Sequence, residues 1–505
     1  MDGNPLFRLL SSSPMKRSLA LLACLAQASI AAPAKPNVVL ILADDLGYGD
    51  ISYNGAKGAV TPNIDKLASE GINFTDAHSS SSTCTPSRFA LITGKYPFRQ
   101  KGTGILPGDA EMIVKPGTTT LPSIFKQAGY ATGAVGKWHL GLGDGRIDWN
   151  GEIKPSPNDI GFDESFIMAA TGDRVPTVYI RNHRVENLDP ADPISVSYTT
   201  QYPSEPDGKR DRASLKMDWS AGHNMAIVNG IGRIGFMKGG VAARWKDENM
   251  SQDFTREALG FIDHHKDQPF FLYFAIHNIH VPRVPNPMFV GKSTMGARGD
   301  SIIEADWQVG QVMAELDKLG IAENTLVIFS SDNGPVLDDG YKDGAVEKLG
   351  GHKPAGPFSG GKTSLLEGGN REPTIVRWKG HVKPGTSDAL FGQFDLAASF
   401  ASMLGVKLSD DALPDSLNVM PALLGESKTA RHWIVEHNQY NDRLAYREGD
   451  WKLMEAAPKQ PVQLFNLKDD IGEKHNFAAE RPEVVETLMK KLEAIRQAEH
   501  TRPQS

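Results

Sequence analysis

Four runs along the chain are apolar without interruption and end in polar clusters. Residues 37–43 (NVVLILA) break into Asp44-Asp45-Leu-Gly-Tyr-Gly, and 130–135 run into Gly-Lys137-Trp-His139. Residues 270–276 run into His277-Asn-Ile-His280, and 325–329 into Ser-Ser-Asp332-Asn333-Gly334. Strands without alternation are those covered on both faces, as in a parallel sheet between helices. Helical segments lie between them: Thr61-Pro62 opens one, and 301–319 sets Ile303, Val309, Val312, Met313 and Leu316 near one face. Strand–helix alternation predicts a doubly wound α/β sheet, with ligands bound beyond the carboxyl ends of its strands. Near residue 430 the pattern changes. Short strands at 433–436, 444–447, 451–454 and 463–467, separated by turn residues, predict an antiparallel sheet. Pro482 then opens a helix with Val485, Leu488, Leu492 and Ile495 on one face.

The N-terminus adds an export expectation. Lys16-Arg17, the apolar stretch from Leu19 and the small-x-small site at Ser29-Ile30-Ala31 read as a signal peptide. That apolar run is too short for a membrane span. The expected division is a leader over 1–32, a catalytic domain over 33–429 and a C-terminal α+β subdomain over 430–505. The expected location is periplasmic or secreted, with lipoprotein anchoring through Cys24 as a minor alternative. A net charge of −7 argues against nucleic acid as partner. Only two cysteines occur in 505 residues. Once the leader is removed, Cys84 stands alone, and an odd cysteine in an oxidising compartment needs a reason.

Asp44, Asp45, Asp332 and Asn333 offer oxygen donors, which suit Ca²⁺ or Mg²⁺ better than zinc. Asp-Asn-Gly is also a favoured turn, so spacing leaves metal site and turn both open. His139 and His280 are candidate acid–base groups, while Lys137, Lys362 and Arg88 are candidate anion holders. Nothing in the periodicity makes these residues converge.

Cys84-Thr-Pro-Ser-Arg88 matches the C-x-P-S-R signature of the type I sulfatases, in which the cysteine is oxidised to Cα-formylglycine by a maturation enzyme. VVLILADDLGYGD, GYATGAVGKWHLG, FFLYFAIHNIHVP, TLVIFSSDNG and GGKTSLLEGGNREPTIVRW resemble that family's other blocks, in its order. The resemblance implies an alkaline-phosphatase-like α/β/α sandwich with a small C-terminal antiparallel sheet plus helix, and hydrolysis of sulfate esters. It further implies Ca²⁺, rather than Mg²⁺, on Asp44, Asp45, Asp332, Asn333 and residue 84. The hydrated aldehyde at position 84 would attack sulfur, with Asp332 assisting and Arg88 orienting it. Lys137, His280 and Lys362 would bind the sulfate, with His280, or Lys362 beside it, supporting the leaving oxygen. His139 would take a proton from the second hydroxyl to expel sulfate.

Asp173-Arg174 resembles a segment of sulfatases acting on sulfated carbohydrates, although a structural ion pair is an equally open reading. The polar stretch 200–250, with Trp219, His223 and Trp245, is expected to shape the substrate cleft. His277 competes with His280, Thr171 is a candidate support for the basic groups, and the role of Arg371 is open. Two other readings remain: a phosphonate or phosphate ester hydrolase of the same superfamily, and a catalytically silent sulfated-glycan-binding protein.

Overall fold

Residues 38–43 alternate between two cores, which is why they are all apolar. Val38, Leu40 and Leu42 enter one cluster, and Val39, Ile41 and Ala43 the other, all essentially inaccessible to water. The structure, a computed structural model, describes Met1, residues 35–438 and residues 443–503. The expected leader and Cys24 lie outside the described residues. No helix among the described residues is long and apolar enough to cross a membrane.

The main sheet has ten strands. In chain order these are β1 (Asn37–Ala43), β2 (Ile72–Phe74), β3 (Ala131–Lys137), β4 (Glu164–Met168), β5 (Tyr179–Arg181), β6 (Arg184–Val185), β7 (Phe270–Ala275), β8 (Thr325–Ser331), β9 (Thr374–Trp378) and β10 (Gly385–Ser387). The spatial order is β10-β2-β9-β8-β1-β7-β3-β4-β5-β6. The central strands β8, β1, β7, β3 and β4 are mutually parallel. The sheet is nonetheless mixed rather than all-parallel: β9, β5 and β6 pair antiparallel with their neighbours. Such pairings at the flanks leave the buried centre parallel.

Helices α1 (Pro62–Ser69), α4 (Met250–His265) and α5 (Gly296–Lys318) cover one face, while α2 (Cys84–Thr93), α3 (Leu121–Gln127) and α6 (Leu396–Leu404) cover the other. The family's α/β/α sandwich is therefore what this chain builds. Helix α5 starts five residues before the predicted Ser301, and Ile302 rather than Ile303 enters the core. Strands β11 (Trp433–His437), β12 (Leu444–Glu448), β13 (Trp451–Met454) and β14 (Gln463–Asn466) form the antiparallel C-terminal sheet, with α7 (Pro482–Gln497) on it. Ile434, Val435, Leu453, Leu488 and Leu492 share one cluster with Ala90 of α2 and with Tyr96 and Phe394.

The loop after β1 is clamped from outside. Asp50 receives two hydrogen bonds from Arg298 of α5, at 2.8 and 2.7 Å, and lies 2.7 Å from His352 Nε2. Asp50 and Arg298 are fully buried, so each needs the other's charge. We expect Asp50→Ala to lower unfolding free energy by about 3–5 kcal/mol, because Arg298 is left buried without its partner. The double variant Asp50→Ala/Arg298→Met should recover part of that loss. Denaturant unfolding of the set checks this, and a single-variant loss below about 1 kcal/mol would contradict it.

Candidate active site

The polar clusters converge because the central strands are parallel and in register. Ala43 of β1 pairs with Ser331 of β8, so Asp44 and Asp332 leave the sheet side by side. Asp332 N donates to the Ala43 carbonyl at 3.0 Å, and Asp45 N to Asp332 Oδ1 at 3.3 Å. On the other side Asp44 N donates to the Asn278 carbonyl at 3.0 Å, and Ile279 N to the Asp44 carbonyl at 2.7 Å. The turn after Asn333 closes tightly: a Cβ on Gly334 would lie 1.9 Å from the Gly368 carbonyl oxygen. Asp45 and His139 hold positive φ angles of 60° and 58°. For non-glycine residues that conformation costs of order 1–3 kcal/mol and tends to occur at functional sites.

Cys84 begins α2 and is buried. The serine run before it is not a surface linker: Ser79 to Ser82 are all buried. Ser82 N donates to the His437 carbonyl at 3.2 Å, and the Ser82 carbonyl accepts from Thr363 N at 2.8 Å. The run thus ties β11, the residue after Lys362 and the start of α2 together. Metal-binding atoms of Asp44, Asp45, Cys84 and His280 all lie within 4.8 Å of one another.

Cations and carboxylates interleave around this point. Lys137 Nζ is 2.7 Å from both oxygens of Asp44 and 3.8 Å from Asp332 Oδ2. Arg88 Nε donates to Asp332 Oδ2 at 2.8 Å, and its Nη1 to the Lys137 carbonyl and Tyr273 OH. Lys362 Nζ donates to Asp45 Oδ2 at 2.8 Å and to Asp339 Oδ2 at 2.7 Å, and lies 3.3 Å from His280 Nε2. Burial would lower Lys362, but Asp339 and Asp45 carry it well above its ordinary value. Burial, then Lys362, hold His280 well below its own. His280 Nδ1 faces the Val281 carbonyl at 2.7 Å. In that neutral tautomer Nε2 is an acceptor, and Lys362 carries the proton of the pair.

His139 has the opposite layout. Its Nε2 meets the Leu106 carbonyl at 3.0 Å, while its buried Nδ1 has no partner among the described residues. Burial, then Lys137, keep the ring well below its ordinary pKa, leaving Nδ1 as a free base. Burial also pushes the Cys84 thiol up to about 11, so an unmodified cysteine here is a poor nucleophile at neutral pH.

Other candidates take different places. His277 is not in the cluster, since its Nε2 accepts from Gly172 N at 3.0 Å. Thr171 does not support the basic groups; its hydroxyl bonds Asp173 and accepts from Arg174 Nη1 at 2.8 Å. Asp173 is buried, paired with Arg174 at 2.9 Å and with His223 Nε2 at 2.8 Å. Arg371 packs away from the site against Glu367, Asp76 and the Phe358 ring. Trp245 is core, with its ring against Tyr179, and Trp219 is pinned under Arg212. Asp339 was not anticipated: it lies in Asp338-Asp339-Gly340, which reads as a turn. His223 was noticed only as a loop residue, because its partner is fifty positions away.

The residues present fit a hard divalent cation. Asn333 Nδ2 donates to Asp45 Oδ1 at 2.7 Å, and Asn333 Oδ1 is buried with no hydrogen-bond partner among the described residues. A buried carbonyl oxygen facing carboxylates needs a cation or a donor. Burial pushes Asp44 well above the usual carboxylate range even with Lys137 on it. Its ionised form therefore calls for more positive charge than one ammonium supplies.

Known proteins agree with this geometry. A family model described as Sulfatase matches residues 36–406. An N-acetylgalactosamine-6-O-sulfatase of Bacteroides thetaiotaomicron is 48% identical, over 92% of this chain and 93% of that protein. Human arylsulfatase A is 32% identical, over 95% and 90%. A solved structure concerned with glycosaminoglycan metabolism by Bacteroides thetaiotaomicron superposes with a TM-score of 0.90 at 48% identity, covering 92% of this chain and all of that one. A match over most of the chain, together with a cysteine, oxygen donors and paired cations at the parallel strand ends, leads to one conclusion: the chain belongs to the sulfatase family and is a sulfuric ester hydrolase.

Proposed function

We propose that this enzyme removes a 6-O-sulfate from an N-acetylgalactosamine-type sugar, with residue 84 acting as formylglycine beside a bound Ca²⁺. One arrangement carries the reading: metal-binding atoms of Asp44, Asp45, Cys84 and His280 within 4.8 Å of each other, with an Asn333 oxygen that has no hydrogen-bond partner among the described residues. The relative at 48% identity, named for N-acetylgalactosamine-6-O-sulfate, supports the substrate class. So does the Asp173–Arg174–His223 group, because a carboxylate held in place by an arginine and a histidine can read sugar hydroxyls.

The hydrated aldehyde supplies one hydroxyl to attack sulfur and a second whose deprotonation lets sulfate depart. The cation, when bound, draws charge from the sulfate oxygens. The chain's residues do the rest. Asp332, held at Oδ2 by Arg88, is the acceptor beside the nucleophile. Lys137 and Lys362 bring positive charge to the sulfate. Lys362 also holds a proton toward the departing oxygen, which an alkoxide leaving group requires. In the free site His280 Nε2 accepts from Lys362 rather than donating, which makes Lys362 the stronger candidate for that proton. His139 Nδ1 is the free base for the second hydroxyl.

The carboxylates of Asp44, Asp45 and Asp332 are matched by Lys137, Lys362 and Arg88, leaving Asp339 as the uncompensated charge. A divalent cation reverses the sign of the site, which suits an ester carrying one negative charge.

We expect Cys84→Ala to keep its melting temperature within a few degrees and to lose at least about 10⁴-fold in kcat/KM. Mass spectrometry of the wild-type peptide should show the aldehyde. An unmodified thiol in fully active protein would overturn the mechanism. Chelation should lower the melting temperature reversibly, with Ca²⁺ restoring it, and Asn333→Ala should weaken Ca²⁺ binding about 10–100-fold by calorimetry. On matched esters, sulfate turnover should exceed phosphate turnover, and the 6-O-sulfated N-acetylgalactosamine should lead a panel of position-defined sugars. Preference for the phosphate or phosphonate esters would reassign the reaction.

A further inference from the structure

Asp339 is the one carboxylate of the charged cluster that reaches solvent. Asp44, Asp45 and Asp332 are fully buried, and the Lys362 side chain is 8% exposed, whereas that of Asp339 is 33% exposed. Its Oδ2 lies 2.7 Å from Lys362 Nζ and 4.0 Å from His280 Nε2. Among the described residues its Oδ1 has no hydrogen-bond partner. Asp339 thus stands where the buried machinery opens outward, beside the pair assigned to the leaving oxygen.

Its position is held closely. Gly340 has φ +100°, and a Cβ there would fall 1.9 Å from His223 Nδ1, so no other residue fits that turn. Ser220 Oγ donates to Asp338 Oδ1 at 2.6 Å, and Ser220 N to the Gly340 carbonyl at 3.0 Å. The Tyr341 ring lies 4.4 Å from the His223 ring, and its hydroxyl donates to the Gly232 carbonyl at 2.6 Å. The segment that fixes Asp339 is therefore the one that fixes His223 against Asp173. These two carboxylates are placed together as one unit.

A carboxylate beside an anion-binding site weakens anion binding unless it has another task. Lys362 already has Asp45 at 2.8 Å as one counter-charge, and pairing with Lys362 uses only Oδ2 of Asp339. An ionised carboxylate only accepts hydrogen bonds. We propose that Asp339 is a specificity residue that accepts a hydrogen bond from a hydroxyl or acetamido N–H of the sugar bearing the ester, and that repels a second anion there. This rests on the carbohydrate reading above and adds to it which side of the sugar is read and which neighbours are refused.

The test compares wild type with Asp339→Asn on three substrates: 6-O-sulfated N-acetylgalactosamine, its 4,6-disulfated analogue and 4-methylumbelliferyl sulfate. The variant should lose about 10- to 100-fold in the ratio of monosulfated-sugar to aryl-sulfate kcat/KM. The loss should fall mainly on KM, and discrimination against the disulfate should shrink. Melting temperature confirms that the variant is folded. An equal loss on sugar and aryl ester would overturn the proposal, making Asp339 only a restraint on Lys362. Unchanged ratios would overturn it too. If wild type cleaves the aryl ester but no sugar sulfate, the carbohydrate reading fails and this inference with it.

Discussion

A single ammonium group holds the site together. Lys137 ends β3 with no access to water, 2.7 Å from both oxygens of Asp44 and 3.8 Å from Asp332. It joins its own strand end to two carboxylate-bearing strand ends that would otherwise repel each other, and Arg88 closes the ring through Asp332 and the Lys137 carbonyl. Charges this deeply buried cost several kcal/mol each to desolvate and persist only when paired and hydrogen-bonded. The arrangement is therefore rigid by necessity. Removing Lys137 would leave Asp44 buried without its ammonium partner, which makes the cluster a preorganised field for an anion rather than a store of stability.

A second buried network carries the outer part of the site. Lys452 of β13 is fully buried and reaches Glu367 at 2.8 Å, Glu436 at 3.0 Å and Glu473 at 3.4 Å. His78 bridges Asp76 and Glu436, and Arg447 and Arg371 meet Asp76 and Glu367. Glu367 follows Lys362 by five residues, and Gly368 packs on Gly334 beyond Asn333. The C-terminal sheet thus braces the segment that presents Lys362. It also shares a core with α2.

Much of this was legible along the chain for local reasons. An unbroken β-branched run such as Asn37–Ala43 can only be a strand covered on both faces, and its end is marked by Asp44. Cys84-Thr-Pro-Ser-Arg88 named its own chemistry. The edges of the sheet were less legible: β5 and β6 are two or three residues each, too short for a period to register. On α5, Ile302 lies on the core face and Ile303 at its margin, partly buried against the same cluster. His277 and His280 are equivalent by spacing. The Val281-Pro282 that follows favours His280 by resemblance, and the structure adds that Gly172, more than a hundred residues away, takes up His277 Nε2.

The sequence alone determined the strand type, the position of Cys84 in its family signature and the inventory of acids and bases, because each depends on neighbours within a few residues. Tertiary structure alone decided which ring nitrogen is free on His139, which partner of the Lys362–His280 pair holds the proton, and that Asp339 meets Lys362 while reaching solvent. Those outcomes rest on hydrogen bonds between residues tens to hundreds of positions apart, as with Lys362 and Asp45. No local pattern encodes such contacts. Only the parallel register of five strands, which brings their carboxyl ends to one edge, makes them possible.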